Sequence, residues 1–162
     1  MTENAAIETF WRQALAALPD LPETLPEAWG FGAIPEHADE LLALVLDGVK
    51  TGTASSLWDY DATGDPLPAA GDVSIILDGA GVPRAVIETT AIAIVPFDEV
   101  SAEHAFSEGE GDRTLAHWRE VHERYWREHS ENPRGFEPDM PVVCERFRLL
   151  LPAQPGSAEA AG

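Results

Sequence analysis

The chain carries a single lysine among 29 acidic residues, and that lysine, Lys50, sits in Gly48-Val49-Lys50-Thr51-Gly52-Thr53. All other positive charge is arginine, so lysine is not used here as a general solubilising residue. Arginine keeps its proton in a protein, whereas a desolvated lysine can lose it. Beside a threonine hydroxyl, such a lysine supports two kinds of chemistry. It can act as a base toward a hydroxyl or water nucleophile, or it can stay charged and stabilise an oxyanion or a phosphate. Thr51 and Thr53, two apart on an extended segment, point to the same side. A carboxylate to orient the lysine or shuttle a proton is available in Glu108-Gly109-Glu110-Gly111-Asp112.

Other side chains with chemical potential are weaker candidates. Trp29, Phe31, Trp58 and Tyr60 flank the lysine segment, and a nucleobase stacked on one of them would gain ~1–3 kcal/mol; core packing is the plainer role for each. His117, His122 and His129 lie on one helical segment at spacings of five and seven, without the i, i+3 or i+4 spacing that sets two ligands together on one face, and there is no cysteine pair. No zinc or other metal site is expected. The glycine loop at 109–111 carries carboxylates where a phosphate cradle would present bare amides. No dinucleotide or P-loop signature is present, and no cofactor is expected. Arg146 and Arg148 alternate with Phe147 and Leu149 and are expected to pair with surface acids.

The elements that must position these residues follow from periodicity. Residues 5–18 read as an amphipathic helix, with Ile7, Phe10, Trp11, Ala14, Leu15 and Leu18 on one stripe. Prolines 19, 22, 26 and 35 make the next stretch an irregular connector. A second helix covers 36–47 and ends at Gly48 in a left-handed cap, so Lys50 follows a helix C-terminus. Strands are read at 51–57, 73–77 and 84–95, a short helix at 98–107, a longer one at 113–129 with Trp118, Tyr125 and Trp126 inward and Asp112 as its N-cap, and a last strand at 142–150. Strands separated by turns, with helices inserted, imply a small α+β domain on a barrel-like sheet rather than a doubly wound parallel one.

Composition limits the function. At 162 residues and 44% hydrophobic, the chain suits one well-packed domain. A net charge of −19 argues against duplex DNA or any broad phosphate surface as a partner, though not against a nucleoside or a few nucleotides. One cysteine, no signal-peptide pattern and no apolar run of membrane-spanning length lead to the expectation of a cytoplasmic protein without a membrane partner. The oligomeric state is not readable.

The ordered succession of Phe31-Gly32, Ala38-Asp39-Glu40-Leu41-Leu42, Gly48-Val49-Lys50-Thr51-Gly52-Thr53-Ala54-Ser55, Gly71-Asp72-Val73, Val95-Pro96-Phe97-Asp98-Glu99-Val100, the Glu108–Asp112 loop and Trp118-Arg119 resembles the ASCH domain family. The resemblance makes 29–151 the domain; 1–28 reads as a helix and connector before it, and the small, polar stretch 152–162 as a disordered tail. It implies a PUA-like α+β fold, a small β-barrel with flanking α-helices, and binding of RNA or a nucleobase-containing ligand. Small bacterial members include an N4-acetylcytidine amidohydrolase and a ribonuclease. In the amidohydrolase branch the working groups fall here on Lys50, Thr53 and either Glu108 or Glu110; Glu108, following His104-Ala105 at the expected spacing, is favoured. Phe31, Thr51, Ser55 and Trp58 are the candidate ligand contacts, Ser55 standing where the family often has arginine. The implied partner is a nucleoside or short single-stranded RNA.

Overall fold

A computed structural model describes residues 3–32, 34–130 and 132–152. Its elements are α1 (Glu3–Ala17), β1 (Glu27–Trp29), α2 (Pro35–Leu46), β2 (Gly52–Ser56), α3 (Leu57–Thr63), β3 (Val73–Leu77), β4 (Pro83–Pro96), a 3-10 turn (Phe97–Glu99), α4 (Ala102–Glu108), α5 (Leu115–His129) and β5 (Pro141–Leu151). The strand order is β1-β3-β4-β5-β2, with β1 parallel to β3 and the pairs β3/β4 and β2/β5 antiparallel. Helices and a mixed sheet in this succession make the fold α+β and PUA-like. The tail expected to be disordered lies, apart from Pro152, outside the described residues.

The chain divides into two compact units. One comprises Met1–Gly48, Val73–Glu88 and Arg148–Gly162. Here Ile7, Trp11 and Ala14 of α1 pack against Ile75 and Val86 of β3 and β4, so the stripe read from the sequence is the face that α1 buries. Alternation along Val73–Leu77 gives fully buried Ile75, and the adjoining Ile76 is equally closed off. Gly48 has φ 79°, the left-handed value expected after α2. Arg148 meets Glu88 at 2.6 Å, the surface pairing expected of it.

The other unit comprises Val49–Asp72 and Thr89–Phe147. Its core is Phe97, Val100, Ala105, Trp118, Trp126, Met140, Val142 and Cys144, with Phe97 stacked on Trp118 at 5.4 Å and edge-on to Trp126 at 5.9 Å. Burying rings of this size supplies a large apolar area, and offset or edge-on pairing adds to it. All the chemistry-bearing groups around Lys50 belong to this unit.

Four local expectations are corrected. The connector contains a short strand, β1, held by its register with β3 rather than by its own composition. The strand expected through Leu57 stops at Ser56, and Leu57–Thr63 is helical, ended by Gly64 at φ 78°. Thr114, not Asp112, caps α5: its hydroxyl accepts the His117 N–H at 3.1 Å, while Asp112 accepts from the Thr114 amide and hydroxyl at 2.9 and 2.6 Å. Tyr125 is 38% exposed, turned off the face that buries Trp118 and Trp126.

Candidate functional site

Lys50 is drawn into the protein. It is 2% exposed and enters β2 through Thr51, whose amide donates to Ser107 O at 2.7 Å and whose carbonyl accepts from the Phe147 amide at 3.0 Å. These backbone bonds pin the lysine segment against α4 and β5. Close approach is made possible by Gly52, where a Cβ would lie 2.3 Å from Ser107 Oγ. Glycine is needed again at 109, with φ 74° and a would-be Cβ 2.9 Å from Val49 O. Arg113, itself left-handed at φ 64°, ties both sides together: its guanidinium donates to Phe106 O at 3.1 Å and Val49 O at 3.3 Å and lies 3.5 Å over the Phe106 ring.

The lysine ammonium donates to Gly52 O at 2.8 Å, Glu110 Oε2 at 3.2 Å and Glu108 O at 3.4 Å, and Glu108 Oε1 stands 3.6 Å away. Three acceptors match the three N–H bonds of an ammonium. Both carboxylates offered by the sequence thus face Lys50, one buried and one at 25% side-chain exposure.

Glu108 is the hub. Its Oε2 accepts from Trp118 Nε1 at 2.6 Å and lies 2.8 Å from His104 Nε2, while Oε1 faces His122 Nε2 at 3.3 Å as well as the lysine. Burial works against its ionisation. The His122 charge, the Lys50 ammonium and hydrogen bonds from the two histidines outweigh that, holding the carboxyl well below its usual range. For His122 burial likewise opposes charge, and the Glu108 carboxylate overcomes it, so the imidazole is raised above its ordinary value. His122 also stacks on Trp118 with centroids 4.2 Å apart.

The remaining candidates are distributed as follows. Along β2 the register sets Thr53 opposite Glu145 and Ser55 opposite Val143. Lys50, Glu108 and Glu110 are thus brought together, and Thr53 lies within β2, three residues after the lysine. Thr51 Oγ1 reaches Ser107 O at 3.4 Å. Trp58 is half-buried with the Arg134 guanidinium 3.7 Å over its ring, and Phe31 is 5% exposed and edge-on to Trp29 in the other unit. Glu145 is also buried, accepts from Thr89 Oγ1 at 2.6 Å, and is raised in pKa, chiefly by desolvation.

Sequence reading missed the parts played by His104, His122 and Trp118. The relevant spacing for His104 and Glu108 is i, i+4 on one helix, which was legible; the approach of α5 to α4 was not. Glu108, Glu110 and His122 place one donor atom each within 4.8 Å of one another, a set that could hold a metal ion. A divalent ion would need those donors at about 2.0–2.6 Å, in space that faces the Lys50 ammonium, whose charge already answers the two carboxylates. The donor set fits a resident lysine better than an added cation.

A PUA-like α+β domain with a buried Lys–Glu centre defines the class. The ASCH domain family model matches residues 27–151, and the chain belongs to that family, whose domains are RNA-binding in general. Among solved structures, a protein of Enterococcus faecalis V583 under the family model DUF984 is 36% identical, at TM-score 0.82, over 98% of this chain and 94% of that chain. An ASCH domain from Lactobacillus crispatus JV V101 is 26% identical, at TM-score 0.80, over 90% of this chain and 94% of that chain. No curated protein matches the sequence. No helix among the described residues is long and apolar enough to cross a membrane.

Proposed function

We propose that this ASCH domain binds a nucleobase-containing ligand and hydrolyses the exocyclic amide of an N4-acylated cytidine nucleoside. The observation that carries the proposal is the buried Lys50 ammonium, aimed between Glu108 and Glu110. With its three N–H bonds engaged, Lys50 serves as the electrostatic partner of the oxyanion that forms as the acyl carbon is attacked. The nucleophile is the Thr53 hydroxyl or a water oriented by it. Glu108 couples the lysine to the imidazole that manages the proton. A small neutral nucleoside suits a chain of net charge −19 better than a long polyanion does.

Family membership favours a second reading, in which the same centre meets single-stranded RNA, either to cleave it or only to bind it. Incubation of the protein with a panel of N4-acylated cytidines and short RNA oligonucleotides separates the three. Release of cytidine and the free acid supports the amidohydrolase. Cleavage of RNA, falling steeply with salt, supports a ribonuclease, and retained RNA affinity without turnover supports a binding module.

A further inference from the structure

We infer that Glu108 and His122 hold one proton between them, and that His122 is the proton donor of the Lys50 centre. Hydrogen-bond polarity leads there. His122 Nδ1 lies 2.8 Å from Trp118 O, and a carbonyl only accepts, so Nδ1 carries hydrogen. Its Nε2 then faces Glu108 Oε1 at 3.3 Å. A neutral imidazole would set a lone pair against a carboxylate lone pair, so a proton sits on that line.

The rest of the network fixes where the proton can reside. Arg146 Nε donates to His104 Nδ1 at 3.4 Å, which assigns the His104 hydrogen to Nε2, directed at Glu108 Oε2. That oxygen also accepts from Trp118, so it receives two hydrogens and is not the protonated one. The choice is between Oε1 and His122 Nε2. Oε1 faces Lys50 Nζ at 3.6 Å, and a cation there favours the carboxylate form.

The charged and titratable groups facing His122 are Glu108 and, behind it, His104 on α4, Glu110 on the glycine loop and Lys50 ahead of β2. With His122 protonated, Lys50, Arg146 and His122 balance Glu103, Glu108 and Glu110; without that proton the network carries one surplus negative charge. The raised His122 and depressed Glu108 values have the same sense. Of the pair, His122 is the more accessible, with its side chain 12% exposed against 2% for Glu108.

In amide hydrolysis the attacking oxygen forms a bond to the acyl carbon, the carbon–nitrogen bond breaks, and the leaving nitrogen takes the proton from His122 Nε2. The proton lost by the nucleophile restores the imidazolium; where Thr53 attacks, a water then bonds to the acyl carbon, the threonine oxygen leaves with a proton from that water, and the free acid is released. This use of the proton rests on the hydrolase reading; the existence of the shared proton does not.

Two measurements test the inference separately. Nitrogen-15 NMR of the histidine side chains in the wild-type protein at pH 7 should show both His122 ring nitrogens protonated, with titration well above 6.5, and Glu108→Gln should lower that titration. A neutral His122 at pH 7 would overturn the shared proton. In kinetics, His122→Gln should slow N4-acetylcytidine hydrolysis by about 10²–10⁴-fold and remove the alkaline limb of its pH profile. Full activity in that variant would overturn the donor role. Imidazolium signals in a wild type that turns over no amide would leave the shared proton standing and sink the hydrolase reading alone.

Discussion

The Lys50 ammonium faces the Glu108 carboxylate at 3.6 Å, with side-chain exposures of 1% and 2%. A pair this deep contributes little net stability when intact, because desolvation of both charges offsets their attraction. Breaking it is another matter. Lys50→Met leaves Glu108 and Glu110 without their shared cation, and a destabilisation of about 3–5 kcal/mol is expected for an orphaned buried charge. The partial exposure of Glu110, which water can solvate, points to the lower end. Chemical unfolding of the two proteins at pH 7 measures the difference.

The same network gives a bounded pH dependence. Glu108 is depressed from an ordinary 4.5, so its contribution is fully present above 4.5 and is lost as pH falls through the folded value. His122 is raised from an ordinary 6.5, so its contribution is fully present below 6.5 and is lost as pH rises through the folded value. Stability from this pair should therefore be greatest between 4.5 and 6.5. Urea unfolding midpoints across pH 3–10 should decline on both sides, and His122→Gln should flatten the alkaline decline.

Gly52 fixes the approach of β2 to α4. In Gly52→Ala the new methyl would meet Ser107 Oγ at 2.3 Å and Ser107 Cβ at 3.2 Å. Overpacking of this kind costs about 1–3 kcal/mol. Removing the opposing side chain in Gly52→Ala/Ser107→Gly should recover part of the loss, so thermal melts of the cycle should be non-additive.

Cys144 lies in the core at 8% exposure, and burial pushes its thiol up to about 12. The thiolate is the reactive form. Native protein should react with a thiol-specific dye at pH 8 far more slowly than unfolded protein, by well over tenfold. Equal rates would show that the thiol is not held in this core.

Much of the centre was legible in the chain because its signals are local. One lysine in an acidic sequence, a glycine before it and a glutamate four residues after His104 can all be read along the chain. The apolar stripes of α1 and α2 and the strands β3 and β4 were equally plain. What escaped depends on pairing between distant segments. His122 is an ordinary helix position until α5 brings it to Glu108, and histidine spacing within α5 misdirects because its partners are carboxylates on other elements. Thr51 turns its hydroxyl to Ser107 O of α4, a contact that no pattern along β2 could announce. β1, three residues among prolines, exists through its register with β3.

Cytidine release from N4-acetylcytidine by the wild-type protein and by Lys50→Met, with the fold of each confirmed by circular dichroism, tests the central claim most directly. Wild-type turnover should be reduced by about 10²–10³-fold or more in the variant, as for loss of an oxyanion partner. Unimpaired release by folded Lys50→Met, or no release by the wild type, would contradict the account.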